Sequence, residues 1–263
     1  MRFLFLGTAS GMPTGHRRHS CLLVEENGER VLVDAGEGAT AGLLQAGIDI
    51  DGITRVVITH THADHVTGLP LLLQGMHLAG RTRPLSISVP PGRVQWFRDW
   101  LRGMYIFTEK WSFPFDVLQY GDRVHEDDAG GTQGLHILPF ANGHLDKVRD
   151  LAAKHDVPTG SYSLHVSGRG GSAVLSSDIA ALDDVAAMAA GCDLLVVEST
   201  HVSQDGIHAL ATAHPDLRII CTHIPQEMED ALPGLERRSA LQTKGRILYA
   251  NDGMEFILEN DTA

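Results

Sequence analysis

The chain has 263 residues, 43% hydrophobic, 21% charged and 6% aromatic, a globular composition that excludes disordered and collagenous classes. Its 21 Lys and Arg against 33 Asp and Glu give a net charge of −12, which disfavours a broad basic face for duplex nucleic acid and leaves room only for a local basic patch. Fifteen histidines stand beside 17 arginines and four lysines, and histidine is both the commonest metal ligand and the side chain that titrates near neutral pH, so the composition points to a metalloenzyme.

Short, β-branched apolar runs predict strands at Arg2–Leu6, Cys21–Glu25, Arg30–Asp34, Arg55–Thr59, Leu85–Val89 and Leu135–Phe140. Further strands are expected at Ser161–Val166, Ser172–Ser176, Leu194–Glu198, Arg218–Thr222, Arg246–Ala250 and Glu255–Leu258. Helical stretches fall between them, at Thr40–Ala46, Gly68–Leu78, Arg93–Leu101, Ile179–Ala190, His208–Ala213 and Leu235–Gln242. Pro70 lies near the first turn of the second, where proline is tolerated. Tyr105–Gly134, with Phe107, Trp111, Phe113 and Phe115, is the least regular region; it reads equally as a lid and as a loop packing its aromatics onto the core. Arg169-Gly170-Gly171 reads as a hairpin connection.

Both halves begin with adjacent strands and then alternate strand and helix, with no linker or repeat between them. The pattern predicts an α/β fold over residues 1–263 as one domain, with two mixed sheets packed together and covered by helices on both outer faces. No apolar run approaches the about 20 residues a membrane span needs, and Phe3–Leu6 is too short for a secretory signal, so no membrane partner and a cytoplasmic location are expected. Cys21, Cys192 and Cys221 are widely spaced and odd in number, which predicts buried, inert thiols and neither disulfides nor a cysteine metal site.

The strongest chemical signal is His60-Thr61-His62-Ala63-Asp64-His65, directly after the strand ending at Thr59. Four potential ligands within six residues converge only in a tight turn at a strand end. His60 and His62, two apart on extended chain, can point the same way, and Asp64 and His65 can face a second ion. Neutral imidazoles and carboxylates suit zinc, manganese or iron. Other polar ligand types also sit at strand ends: Asn142-Gly143-His144, Ser176-Ser177-Asp178 and Thr222-His223-Ile224.

Together with the turn Asp34-Ala35-Gly36-Glu37-Gly38, these motifs resemble, in order and over nearly the whole chain, those of the metallo-β-lactamase superfamily. The resemblance implies a four-layer αββα sandwich. It implies that His60, His62 and His144 hold one metal ion, that Asp64, His65 and His223 hold a second, and that Asp178 bridges them. Asp34 would orient a ligand histidine. The opening Gly7-Thr8-Ala9-Ser10-Gly11-Met12-Pro13 and the closing Ala250-Asn251-Asp252-Gly253-Met254-Glu255 look like the ribonuclease Z and phosphodiesterase branch. The 34-residue separation of His144 and Asp178 is nearer its small cyclic-phosphate diesterase.

What the resemblance implies is a dinuclear metal-dependent hydrolase, most simply a phosphodiesterase for a small or cyclic phosphodiester acting through a metal-bridging hydroxide. Asp64 serves catalysis as well as metal binding, and His201 is the expected general acid, with His208 second. Two divalent ions are expected, zinc foremost, with manganese or iron as alternatives. The partner is a small-molecule phosphodiester, and homodimers are common among relatives. Where ribonuclease Z carries His-Glu-Ala-Thr, this chain has Val197-Glu198-Ser199-Thr200-His201, and it lacks the Gly/Pro-rich arm that grips transfer RNA, so RNA 3′-processing ranks as an alternative. A lactone, thioester or β-lactam hydrolase with the same metal centre is another. A diiron redox protein is disfavoured, because His60, His62 and His65 are all histidine. Cys221 as a ligand and His16-Arg17-Arg18-His19 as a phosphate-binding loop are weaker readings.

Overall fold

Strand after strand is apolar on both faces, and in a layered α/β protein both faces are buried. A computed structural model describes residues 1–121 and 134–259, and in it these strands form two sheets. The first contains β1 (Arg2–Gly7), β2 (Cys21–Glu26), β3 (Glu29–Val33), β4 (Arg55–Val57), β5 (Leu85–Val89), β6 (Phe115–Gln119) and, at its other edge, the late strand β13 (Glu255–Ile257). Its order is β13-β1-β2-β3-β4-β5-β6, antiparallel as far as β3 and parallel beyond. The second contains β7 (His136–Ala141), β8 (Tyr162–Gly168), β9 (Gly171–Leu175), β10 (Leu194–Glu198), β11 (Arg218–Thr222) and β12 (Ile247–Tyr249), in the order β12-β11-β10-β9-β8-β7.

Alternate side chains divide each strand between two layers. On β1, Phe3 and Phe5 face the second sheet, whereas Leu4 and Leu6 face the outer helices. On β10, Leu194 and Val196 face the first sheet and Leu195 and Val197 the opposite layer. The outer face of the first sheet is covered by α1 (Ala39–Gln45), α3 (Leu69–Leu78) and α4 (Val94–Gly103), after the one-turn helix α2 (Ala63–Val66). That of the second is covered by α6 (Asp183–Ala189), α7 (Gln204–Ala213) and α8 (Leu232–Thr243); α5 (Arg149–Lys154) lies on the surface. The expected four-layer αββα sandwich of two mixed sheets is therefore the observed architecture. Among the described residues no helix is long and apolar enough to cross a membrane.

The structure departs from the expected elements where polar side chains compete with the ladder. The strand expected to reach Thr59 stops at Val57, because Asp34 accepts hydrogen bonds from both the backbone N–H and the hydroxyl of Thr59. The helix expected from Ile179 starts at Asp183, because the Asp184 carboxylate accepts the N–H groups of Ala180 and Gly143 and holds the preceding segment as a turn. Within Tyr105–Gly134, Phe115–Gln119 forms an edge strand, and Trp111, Phe113 and Phe115 stack together and pack onto the outer core, so this part is not a lid. The remainder of that region, 122–133, lies outside the described residues. Gly168 pairs with Gly171 across the expected Arg169-Gly170 hairpin turn. Cys21 and Cys221 are buried free thiols, but Cys192 is half-buried, which corrects the expectation that all three are enclosed.

Candidate metal centre

The parallel strands of both sheets deliver their C-terminal ends to one rim, the usual place for a ligand in a layered α/β fold. From the first sheet, the chain leaves β4 and passes through His60 to His62, whose backbone is extended and which precedes α2; that single turn carries Asp64 and His65. From the second sheet come His144 after β7, Asp178 after β9 and His223 after β11. Three residues at these strand ends, Asp34, Ser177 and His223, have positive φ of 57°, 52° and 52°. Left-handed backbone costs a non-glycine residue about 1–2 kcal/mol, and its clustering at one rim marks a site held by its surroundings.

The donors form two groups that share Asp178: His60, His62, His144 and Asp178, and Asp64, His65, Asp178 and His223. In the first, His60 Nε2 and His144 Nε2 lie 3.0 and 3.2 Å from His62 Nδ1, and Asp178 Oδ2 lies 3.6 Å from His144 Nε2 and 4.0 Å from His60 Nε2. In the second, Asp178 Oδ1 is 3.4 Å from both His65 Nε2 and His223 Nε2, and Asp64 Oδ2 is 3.5 and 3.7 Å from the same two nitrogens. The two oxygens of Asp178 thus face different groups. Ligands bound at about 2.0–2.1 Å in a tetrahedron are separated by about 3.3 Å, close to these spacings. His65 Nε2 and Asp178 Oδ1 are buried yet lack a hydrogen-bond partner, as atoms meant for an ion would. The donor set therefore fits divalent metal ions.

Electrostatics agree for four of the five ligand histidines. Burial pushes His60 well below the usual imidazole range and His144 down to about 4, which keeps both neutral near pH 7, the form that binds metal. Burial also lowers His62 and His223. His65 is opposed by burial, but the carboxylates of Asp178 and Asp34 hold it well above the usual range. Burial would raise Asp178; the surrounding His223, His65 and His60 keep it well below the ordinary carboxyl value.

Supporting contacts come from residues the sequence marked only in part. His65 Nδ1 donates to Asp34 Oδ2 at 2.7 Å, in the orienting place expected for Asp34. His223 Nδ1 lies 3.0 Å from Ser20 Oγ, a contact without sequence signal. Thr8 N–H and hydroxyl and Arg18 N–H all donate to Asp252, which ties the opening Gly-Thr-Ala-Ser turn to the closing Asn-Asp-Gly-Met segment beside Ile224. Arg17 is spent inside the protein on Thr8, Ala250, Asn251 and Glu229, and Arg18 on Leu6, Gln45 and Asp252. The His16–His19 loop thus spends its arginines on structure.

His201 lies beside the first group, with its ring centroid 4.9 Å from that of His144. Its Nδ1 lies 3.1 Å from Glu198 Oε1, while Glu198 Oε2 accepts the backbone N–H groups of Thr200 and His201. Glu198 is 1% exposed, and its hydrogen bond raises the His201 pKa above the ordinary imidazole value. Glu198 was missed as a functional residue, although Glu three places before His at a strand end was its signal. His208 sits buried on α7, both ring nitrogens without partners, and senses Arg238 and Asp205. Those charges belong to the helical layer, so the structure does not bring His208 to the rim. Cys221 packs in the outer layer, and burial pushes its thiol up to about 12; the positive φ of His223 breaks the alternation by which 221 and 223 would share a face.

Comparison with known proteins places the chain among others of the same fold. A ribonuclease Z from Gemmatimonas aurantiaca is 28% identical over 302 aligned positions, covering 97% of this chain and 95% of its own. One from Methanothermobacter thermautotrophicus is 37% identical over 128 residues, 49% of this chain, and the matched stretch spans only 41% of that relative. Among solved structures, the metallo-β-lactamase fold protein YhfI from Bacillus subtilis superposes with a TM-score of 0.74 at 17% identity, over 97% of this chain and 98% of its own. The human tRNase Z, short form, gives 0.70 at 21% identity over 99% and 100%. These structures establish the metallo-β-lactamase fold, and residues 1–229 match the family described as Anti-Pycsar protein Apyc1, to which the chain therefore belongs.

Proposed function

We propose that the chain is a dinuclear metal-dependent hydrolase of phosphodiesters, with a small or cyclic phosphodiester as substrate. The observation that carries this reading is the shared carboxylate: the two oxygens of Asp178 face separate donor groups, His60, His62 and His144 on one side and Asp64, His65 and His223 on the other. When bound, two divalent ions, zinc foremost, supply Lewis acidity toward the phosphoryl oxygens and lower the pKa of water. The protein's own part is to place the reacting groups and to manage protons. Asp34 and Ser20 fix the ring orientations of His65 and His223. His201, held by Glu198 and protonated over a wider pH range than a free imidazole, donates a proton to the leaving oxygen.

The chain aligns with ribonuclease Z of Gemmatimonas aurantiaca along nearly its whole length, which favours one further reading, RNA 3′-processing. The net charge of −12 and the internal use of Arg17 and Arg18 weigh toward the small substrate.

The test is a panel of bis-aryl phosphates, cyclic nucleotides, precursor transfer RNA and lactones, run on metal-quantified wild type and Asp178→Ala. The small phosphodiesters should be cleaved fastest, and Asp178→Ala should lose both activity and metal. Faster turnover of precursor transfer RNA would favour the ribonuclease reading, and faster turnover of lactones would overturn the phosphodiesterase reading.

A further inference from the structure

The two donor groups share a carboxylate but not an environment. In the Asp64, His65, Asp178 and His223 group, both histidines are anchored through the nitrogen that faces away from the ligand cluster. His65 Nδ1 donates to the Asp34 carboxylate at 2.7 Å, and His223 Nδ1 lies in hydrogen-bond contact with Ser20 Oγ at 3.0 Å. Asp34 is itself fixed: it accepts the N–H and hydroxyl of Thr59, and Ser177, reaching from the opposite sheet, donates to that hydroxyl at 2.7 Å. The group also holds two carboxylates, Asp64 and Asp178.

The His60, His62, His144 and Asp178 group is anchored less. His60 Nδ1 has only a long 3.3 Å contact to the Thr59 hydroxyl. His144 Nδ1 is buried without a partner. His62 is the exposed member of the cluster, and its Nδ1 lies against the ring nitrogens of His60 and His144. Asp178 is the sole carboxylate of the group, and it is shared.

We infer that the two ion positions are unequal, the Asp64–His65–Asp178–His223 position binding its ion tightly and the His60–His62–His144–Asp178 position exchanging its ion, with Ser20 and Asp34 as the positioning residues that set the difference. The inference rests on the dinuclear reading above. An anchored ring gives up little rotational freedom on binding, and a ring that donates to a carboxylate is a more basic ligand; loss of such anchors costs about 10–100-fold in metal affinity. An exposed, unanchored His62 must be immobilised by the ion itself. A second consequence is that activity follows occupancy of the exchangeable position, so the free concentration of the divalent ion sets how much enzyme is competent.

The test is titration of the chelator-stripped protein with cobalt(II), followed by calorimetry and by visible ligand-field absorption, both independent of turnover. Two binding events separated by at least about tenfold in affinity are expected. His62→Ala should remove the weaker event and keep the tighter. Ser20→Ala, a small change away from the ligands themselves, should weaken the tighter event by about tenfold or more and leave the weaker in place. Two events of equal affinity, or loss of the tighter event in His62→Ala, would overturn the inference and leave a dinuclear enzyme standing. A folded protein that takes up no ion would overturn the dinuclear reading as well.

Discussion

At the scale of single residues, the proposed proton donor is the group with the clearest division of labour. His201 is tied to Glu198 through Nδ1, and the hydrogen bond favours the imidazolium. A general acid works only while protonated, so turnover should fall as pH rises through the His201 pKa, and Glu198 moves that fall to higher pH. Glu198→Gln keeps the shape and removes the charge; its alkaline limb should shift to lower pH, with metal content unchanged. His201→Ala should lose about 10²–10⁴ in kcat and retain its metal. A pH profile unmoved in Glu198→Gln would remove His201 from the proton-donor role. The same residues show what the sequence can reveal of a site. The seven ligand-type side chains that converge, from His60 to His223, are readable because each sits in a short polar segment directly after an apolar strand. Ser20 and His208 are not, because a contact between residues 203 apart, or the turn of a helix away from a rim, exists only once the layers have packed.

At the scale of elements, the strands were legible because burial on both faces leaves apolar runs that no loop would carry. Their ends were less so, since Asp34, Ser177 and His223 leave the sheet through left-handed backbone and alternation stops there. β6 escaped notice because Phe115–Gln119 is an edge strand with an exposed Asp116, inside an aromatic stretch that reads as loop. Below that sheet edge lies Arg81. Its guanidinium is wholly buried and donates to the carbonyls of Ile50, Asp51, Ile53, Arg83 and Pro84, while Phe113 lies 5.5 Å from its centre. One side chain thus joins the turn before β4 to the turn before β5. Arg81→Met fills similar volume but leaves these carbonyls to find water or go unpaired, and buried polar groups left without partners cost about 1–3 kcal/mol each before relaxation. The expected outcome is a loss of about 3–5 kcal/mol in urea unfolding, comparable to breaking a buried ionic contact, with ligand residues unaltered. A loss below about 1 kcal/mol would show that water replaces the guanidinium at no cost.

At the scale of the whole molecule, the candidate metal centre lies across the join between the two sheets. His60, His62, Asp64 and His65 leave the first sheet, whereas His144, Asp178 and His223 leave the second. Between them the sheets share an apolar interface of Phe3, Phe5, Val31 and Val33 against Leu164, Leu175, Leu194 and Val196, and the Ser177–Thr59 hydrogen bond at its rim. An ion bound to both sheets therefore adds its binding energy to the contact between them, because no such cluster exists in the unfolded chain. A ligand present at 100 times its dissociation constant stabilises the fold by about 2.7 kcal/mol, so two ions contribute about 5 kcal/mol. For a domain of this size each kcal/mol moves Tm by about 2–4 °C, and stripping both ions should lower Tm by about 10–20 °C. Readdition of metal should restore it, rising with the logarithm of free metal above the dissociation constant. The effect must also weaken as pH falls, because His65, held above the ordinary imidazole range by Asp178 and Asp34, has to release its proton before an ion can bind. Scanning calorimetry of the stripped and reloaded protein at pH 7.5 and 5.5 measures both quantities. Equal Tm values with and without metal at pH 7.5 would mean that the two sheets hold the cluster unaided, and the ions would then serve chemistry alone.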